Sequence, residues 1–374
     1  MTKSLFDERV ELYRKTIAFE NNRTSTAYSG PATPAAHMNM TIKDFMFDTK
    51  KGFKAYVDYV KELDSFASID CINAPYPGKF NVPLTLMWLS QIKVPGRDLP
   101  DNSLWQVQEK ALIEVEDYDF IIEHGFAEFQ QKFLPKVIGI DEIQDFMNYS
   151  MTEGPLQAQI LVENGLPQVN SIAFTPPFEA LCGGRSMTKF FMDCYKSMDK
   201  IKETQDVMFP TLIESAMETL KQTNAIGGWV GGWRGASGMV SPKIWNNLVW
   251  PYMKKTAEIF IDNGFIPIMH LDQNWDRDIE RFLELPKQKF VLNTDGMTDL
   301  NRARKLLGDH VAFMGDVPAP ILSMGTVAET ENYVKKLIDN VGAKGLIVTS
   351  GCDSPANAKF ENMVAMFKTA VEYK

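Results

Sequence analysis

The sequence has few cysteines, few histidines and no long apolar run. Its four cysteines, Cys71, Cys182, Cys194 and Cys352, are scattered over 374 residues and form no CxxC pair. That spacing argues against a disulfide framework, and the default for each thiol is a small buried hydrophobe. No stretch of about 18 apolar residues occurs, so no membrane-spanning helix is expected. The opening segment, residues 1–20, is charged and helix-like and lacks an apolar signal core, which points to the cytoplasm. Positive charge is also in deficit. Lys and Arg number 39 against 48 Asp and Glu, a net charge of -9, so no general basic face for nucleic acid is expected. The serine-hydrolase elbow GxSxG is missing. The glycine-rich segment 227–238, GGWVGGWRGASG, matches neither GxGxxG nor a P-loop, which removes a nucleotide cradle.

What is present is ordinary globular material. Hydrophobic residues make up 45% and charged residues 23%, enough for one large core or two average ones. The second half has a regular rhythm. FPTLIESAMETLKQTNAIGGWV reads as a helix followed by a strand into a glycine turn. SPKIWNNLVWPYMKKTAEIFIDNG opens with Ser241 as helix cap and Pro242 at the first helical position, and it closes at Gly264. FIPIMHLD, KFVLNTD, VAFMGD and GLIVTSGC follow as short strands, with helical stretches between them. Strands alternating with helices mean parallel strands covered by helices. A (β/α)8 barrel is the leading architecture and a doubly wound sheet the second. The expected layout is an N-terminal helical extension over 1–60 and a barrel over 61–374. Residues 22–40 read as a loop, and residues 103–150 as helical segments, the stretch from Leu104 closed by Gly125.

Chemistry gathers at the strand ends. The four runs finish in His270-Leu-Asp272, Asn293-Thr-Asp295, Gly315-Asp316 and Gly351-Cys352. Barrel enzymes build their sites at the C-terminal ends of strands. Residues i and i+2 of a strand share a face, so His270 and Asp272 can reach one point. With Cys352 they offer an imidazole, a carboxylate and a thiolate, a three-ligand zinc set with a fourth position for water or substrate. Each has a plainer alternative. A histidine at a strand end more often hydrogen-bonds, Asp272 suits a helix cap, and Cys352 suits a buried thiol. Asp295 and Asp316 are candidates for positioning a substrate or for capping turns. Trp229, Trp233 and Arg234 are candidates to line a pocket, as is Tyr76 and, with weaker support, Trp105.

The C-terminal third resembles the uroporphyrinogen decarboxylase superfamily in three motifs: Gly315-Asp316 before a proline, Gly351-Cys352 ending a strand, and Glu361-Asn362 opening the last helix. Segments around FTPPFEALCGGRSMTKFF and GGWVGGWRGASG are similar as well, so the likeness covers roughly residues 105–374. It implies a single barrel with added N-terminal helices. The decarboxylase branch grips substrate carboxylates with an N-terminal arginine-rich string. Here residues 1–100 offer only Arg9, Arg14, Arg23 and Arg97, scattered. The other branch, cobalamin-linked methyltransferases, binds zinc through a His-x-Cys pair and a distant Cys. His270 and Cys352 match, and Asp272 stands where the first Cys would be. The resemblance therefore implies a zinc-dependent methyltransferase acting between a small methylated substrate and a corrinoid. A DxHxxG cobalt-ligand motif is absent, so methylcobalamin would arrive on a partner corrinoid protein. A cofactor-free decarboxylase and a non-catalytic ligand-binding barrel are the alternatives.

Overall fold

The computed structural model describes residues 3–223 and 225–373. Eight parallel strands form one curled sheet. They are β1 (Ser25–Tyr28), β2 (Cys71–Ile72), β3 (Ala173–Phe174), β4 (Gly227–Gly232), β5 (Ile266–Leu271), β6 (Val291–Thr294), β7 (Ala312–Val317) and β8 (Leu346–Ser350). Their spatial order is β2-β1-β8-β7-β6-β5-β4-β3. The remaining gap is bridged by the chain leading into β3. Ile72 pairs with Gln168, and the Val169 amide donates to the Ile72 carbonyl at 2.9 Å. The fold is the expected α/β barrel, (β/α)8, with added helices at the N-terminal end. None of its described helices is long and apolar enough to cross a membrane.

Strand alternation decides what lies inside. Ala27, Cys71, Val169, Ile268, Val291, Ala312, Met314 and Ile347 meet along the barrel axis, and Tyr13 and Ile17 of the first helix, Leu5–Ile17, join the same cluster. Along β5, Ile268 belongs to this inner cluster, while Met269 and Leu271 pack outward against the helices. Burying each of the larger side chains, such as Ile268 or Met314, stabilises the barrel by about 1.5–3 kcal/mol. The next inward positions after Ile268 are His270 and then Asp272. The apolar part of the strand fills the barrel, and the alternation hands polar groups to its C-terminal mouth.

The N-terminal half departs from expectation. Residues 22–40 contain β1 and the helix Thr33–His37, and residue 60 falls inside the helix Thr49–Phe66. The strand STAY escaped notice because its polar atoms are satisfied by long-range partners rather than by solvent. Thr26 Oγ1 donates to the Ser68 carbonyl at 2.7 Å, and the Thr26 amide donates to Asp70, which pairs with Arg23 at 2.6 Å. The helix expected from Leu104 to Gly125 begins only at Val115 and runs to His124. Asp117 accepts the Glu114 amide at 2.7 Å and fixes that start, while Leu112 and Ile113 donate to the Gly184 carbonyl in an extended lead-in. Between β2 and β3 lie a short antiparallel pair, Ile92–Lys93 with Gln106–Val107, and four consecutive helices from Val115 to Glu163.

Candidate metal centre

His270 ends β5 and is 5% exposed. Strand register sets its surroundings. Asn293 on β6 is its cross-strand partner, and Met314 on β7 is the partner of Asn293. The Asn293 amide nitrogen donates to the Met314 carbonyl at 3.1 Å. Its oxygen therefore faces His270 and accepts from Nδ1 at 2.6 Å. Nδ1 keeps its proton, and Nε2 is the ring atom turned to the mouth. There Nε2 lies 3.0 Å from Asp272 Oδ1 and 3.8 Å from Cys352 Sγ. One ligand atom from each of the three residues falls within 4.8 Å of the others. Tetrahedral zinc with these donors places neighbouring ligand atoms roughly 3.4–3.6 Å apart. The donor set and its spacing fit such an ion.

Asp272 is not a helix cap. Its amide donates to the Gly232 carbonyl at 3.0 Å, which extends the β4–β5 ladder, and its side chain faces His270. Burial lowers the His270 pKa, but the Asp272 carboxylate and Cys352 outweigh it, and the imidazole is held well above its usual range. Burial raises the Asp272 pKa, and His270 outweighs it, so Asp272 sits below the usual carboxylate range. Burial pushes the Cys352 thiol up, partly offset by His270.

The centre opens on a cavity of about 880 Å³ built at the C-terminal ends of β1, β2, β3, β4, β5 and β8. Trp229 lines it and lies against the His270 ring at 5.0 Å. Gly231 makes room for that indole, since a Cβ there would sit 2.2 Å from it. Trp233 and Tyr76 also line the cavity, and the Tyr76 hydroxyl donates to the Phe45 carbonyl.

Arg234 is not among the lining residues. It is 1% exposed, with its guanidinium 4.0 Å over the Trp233 ring and 3.9 Å from Glu109. The cause is Glu179, around which the turn wraps. Glu179 accepts the backbone N–H groups of Trp233, Arg234 and Gly235 at 2.8–3.0 Å. Trp105 likewise stands off the cavity, packed against Phe80. Asp295 spends its two oxygens on the Gln273 and Met297 amides, both at 2.9 Å, and so braces the loop after β5. Asp316 is buried and accepts from the Tyr333 hydroxyl at 2.9 Å. Burial pushes its pKa up to about 6. Neither aspartate lines the cavity.

The residues that sequence reasoning missed are Asn293, Glu179, Asp353, Asn73 and Trp88. Asn293 stands in a strand-end motif and Asp353 directly follows one, but neither position states which side chain faces the mouth. Asn73 follows a two-residue strand that gives no periodic signal.

Three motifs and a barrel place the chain among known proteins. The family model described as "Uroporphyrinogen decarboxylase (URO-D)" matches residues 169–373. A uroporphyrinogen decarboxylase of Syntrophotalea carbinolica is 28% identical over 155 residues, 41% of this chain and 41% of that protein. A solved structure described as a methyltransferase from Methanosarcina mazei superposes with a TM-score of 0.69. It is 11% identical and covers 97% of this chain and 98% of its own. At that identity the likeness speaks for the fold.

Proposed function

The chain belongs to the uroporphyrinogen decarboxylase family, and from that premise we propose that it is a zinc-dependent methyltransferase. It moves a methyl group between a small methylated compound and a corrinoid carried by a separate protein. The observation that carries this reading is the convergence of His270, Asp272 and Cys352 at the edge of a deep cavity. Zinc, when bound, supplies Lewis-acid polarisation of the donor or acceptor heteroatom at its open position.

The chain's own residues do the rest. Asn293 fixes the imidazole through Nδ1–H, so that Nε2 would give up its proton to Asp272 or solvent and present its lone pair when a metal binds. Asp272 and ionised Cys352 bring two negative charges to balance the dication. A carboxylate in place of a second sulfur makes the metal a harder acid, suited to an ether oxygen or an amine more than to a thiol. Trp229 covers the imidazole from the side. The Methanosarcina protein that shares the fold is described as a methyltransferase, which agrees with the reading.

The decarboxylase alternative has less support. A polycarboxylate tetrapyrrole calls for guanidinium or ammonium partners, and among the described residues the cavity lining contains no lysine or arginine. The test uses zinc-loaded protein with cob(I)alamin and a panel of methylated ethers, amines and thiols. Methylcobalamin formation is expected, with one zinc per chain by elemental analysis. His270→Ala and Cys352→Ser should lose the zinc and slow methylcobalamin formation by roughly 10²-fold or more. A metal-free protein that releases carbon dioxide from a tetrapyrrole would overturn the proposal.

A further inference from the structure

The cavity below the metal centre is lopsided in charge and in hydrogen bonding. Its lining contains the carboxylates of Glu179, Asp272 and Asp353 and no lysine or arginine. Glu179 is saturated by three backbone N–H groups, and Asp272 is turned to His270. Asp353 lines the space beside the Ser29 hydroxyl, with no ion-pair partner among the described residues. Zinc does not alter this balance. With zinc bound, its two positive charges would offset the Asp272 carboxylate and the Cys352 thiolate, and Asp353 would stay the carboxyl group on the open part of the lining.

A second, separate feature points the same way. Asn73 lines the cavity and is only 4% exposed. Its amide nitrogen donates to Ser29 Oγ at 3.3 Å, but its oxygen has no partner among the described residues. A buried acceptor left unmade is costly, so this oxygen calls for a donor from a ligand. The walls supply aromatic faces. Trp88, Trp229 and Trp233 all line the space, and the Trp88 and Trp233 rings meet at 82° with centroids 6.4 Å apart. Indole faces attract cations; Trp233 already carries the Arg234 guanidinium at 4.0 Å, and the rings of Trp88 and Trp229 add further aromatic surface to the lining.

From these three features we infer that the cavity selects a cation, a methylated ammonium compound. Its N–H or polarised N-methyl groups meet the Asn73 oxygen and the Asp353 carboxylate, and its body lies against the Trp88 and Trp229 rings. The charge preference stands on the lining alone. That the bound ammonium is the methyl-bearing substrate rests on the methyl-transfer reading; an ammonium nitrogen has no lone pair for zinc, so the metal would hold a second heteroatom of the compound, such as a hydroxyl oxygen, while the methyl passes to the corrinoid and the amine leaves.

The experiment is calorimetric titration of the zinc-loaded full chain, without corrinoid, with three probes of matched shape. They are choline, the alcohol in which tert-butyl replaces its trimethylammonium group, and the tert-butylacetate anion. Choline should bind at least about tenfold more tightly than the neutral alcohol, and the anion should show no saturable binding. Asp353→Asn and Asn73→Leu should each weaken choline by several-fold and leave the neutral alcohol unchanged. Equal binding of choline and the alcohol, tighter binding of the anion, or no saturable choline binding would each overturn the inference. Methylcobalamin formation reports on the other reading. Cation selectivity without methyl transfer removes the proposed function and keeps this inference. Methyl transfer from neutral ethers with no cation preference does the reverse.

Discussion

The two halves of the barrel are built differently. Strands β4–β8 run four to six residues each and pair in long registers. Strands β1–β3 run two to four residues and yield quickly to loops and to the helices inserted between β2 and β3. The candidate metal donors come from the long-strand half, at and just after the ends of β5 and β8. The rest of the cavity wall is shared: Asn73, Tyr76 and Trp88 come from the other half, and Trp229 and Trp233 from the β4 segment. Rigid ladders suit a metal, which tolerates errors of only tenths of an ångström. Short strands with long connections suit a wall whose shape sets specificity.

The sharpest way to break this comparison is to hollow out the long-strand half. Ile268 is fully buried and sits two residues before His270 on the inward face. Ile268→Ala should cost about 2–5 kcal/mol in denaturant unfolding, from lost burial plus the cavity left behind. A cost near zero would mean that the metal-bearing strand is not anchored by the barrel interior.

Asp316, on β7, tests a buried charge in the same half. Its pKa is raised to about 6 by burial. A carboxyl whose folded pKa exceeds its unfolded value favours the fold when protonated. Its contribution is therefore whole below about pH 4 and is lost as pH rises through about 6. Asp316→Asn keeps the neutral form and the acceptor for Tyr333. Relative to the parent, the variant should gain up to about 3 kcal/mol above pH 7 and nothing below pH 4. Turnover that collapses while this stability gain is absent would instead give Asp316 a catalytic role.

The same division explains what could be read from the sequence. The helix–strand alternation of the second half was legible because its strands are long, apolar and bounded by caps such as Ser241, whose hydroxyl accepts the Ile244 amide. The rule that i and i+2 share a face was enough to pair His270 with Asp272. Adding Cys352 to that pair took a family resemblance, since 82 residues of chain separate it from His270. In the first half, β1 hid because Thr26 satisfies its polar atoms across the fold. Strands of two residues, such as Cys71–Ile72, carry no period at all. Arg234 could not be placed from sequence, because the burial of Glu179 under three amides decides which way that turn faces. Asn293 was visible as a strand-end residue, but its role depends on cross-strand register, which a sequence does not state.

That register yields a milder prediction. Asn293 ties the β6 ladder to His270, the proposed metal ligand, through one amide. Asn293→Leu should leave the fold intact and weaken zinc by about 10–100-fold, because the imidazole loses the acceptor that sets its tautomer and orientation. Competition with a chromogenic chelator reads this directly. Asn293→Asp, which keeps an acceptor, should recover most of the affinity. Equal affinities for parent and Asn293→Leu would mean that packing against Trp229 alone orients the ring.

The smallest effect belongs to the opposite half. The helices Ile140–Thr152 and Gly154–Glu163 each bury a single residue, Tyr149 and Leu161 respectively. Met151 is 74% exposed and lines no part of the cavity. Met151→Ser removes apolar surface that is already in water, so unfolding free energy should move by less than about 0.5 kcal/mol. The contrast with Ile268→Ala measures how far the inserted helices are decoupled from the barrel. If Met151→Ser unfolds the protein as readily as Ile268→Ala, the insertion is part of the scaffold, and the division between a rigid metal-bearing half and an adaptable wall fails.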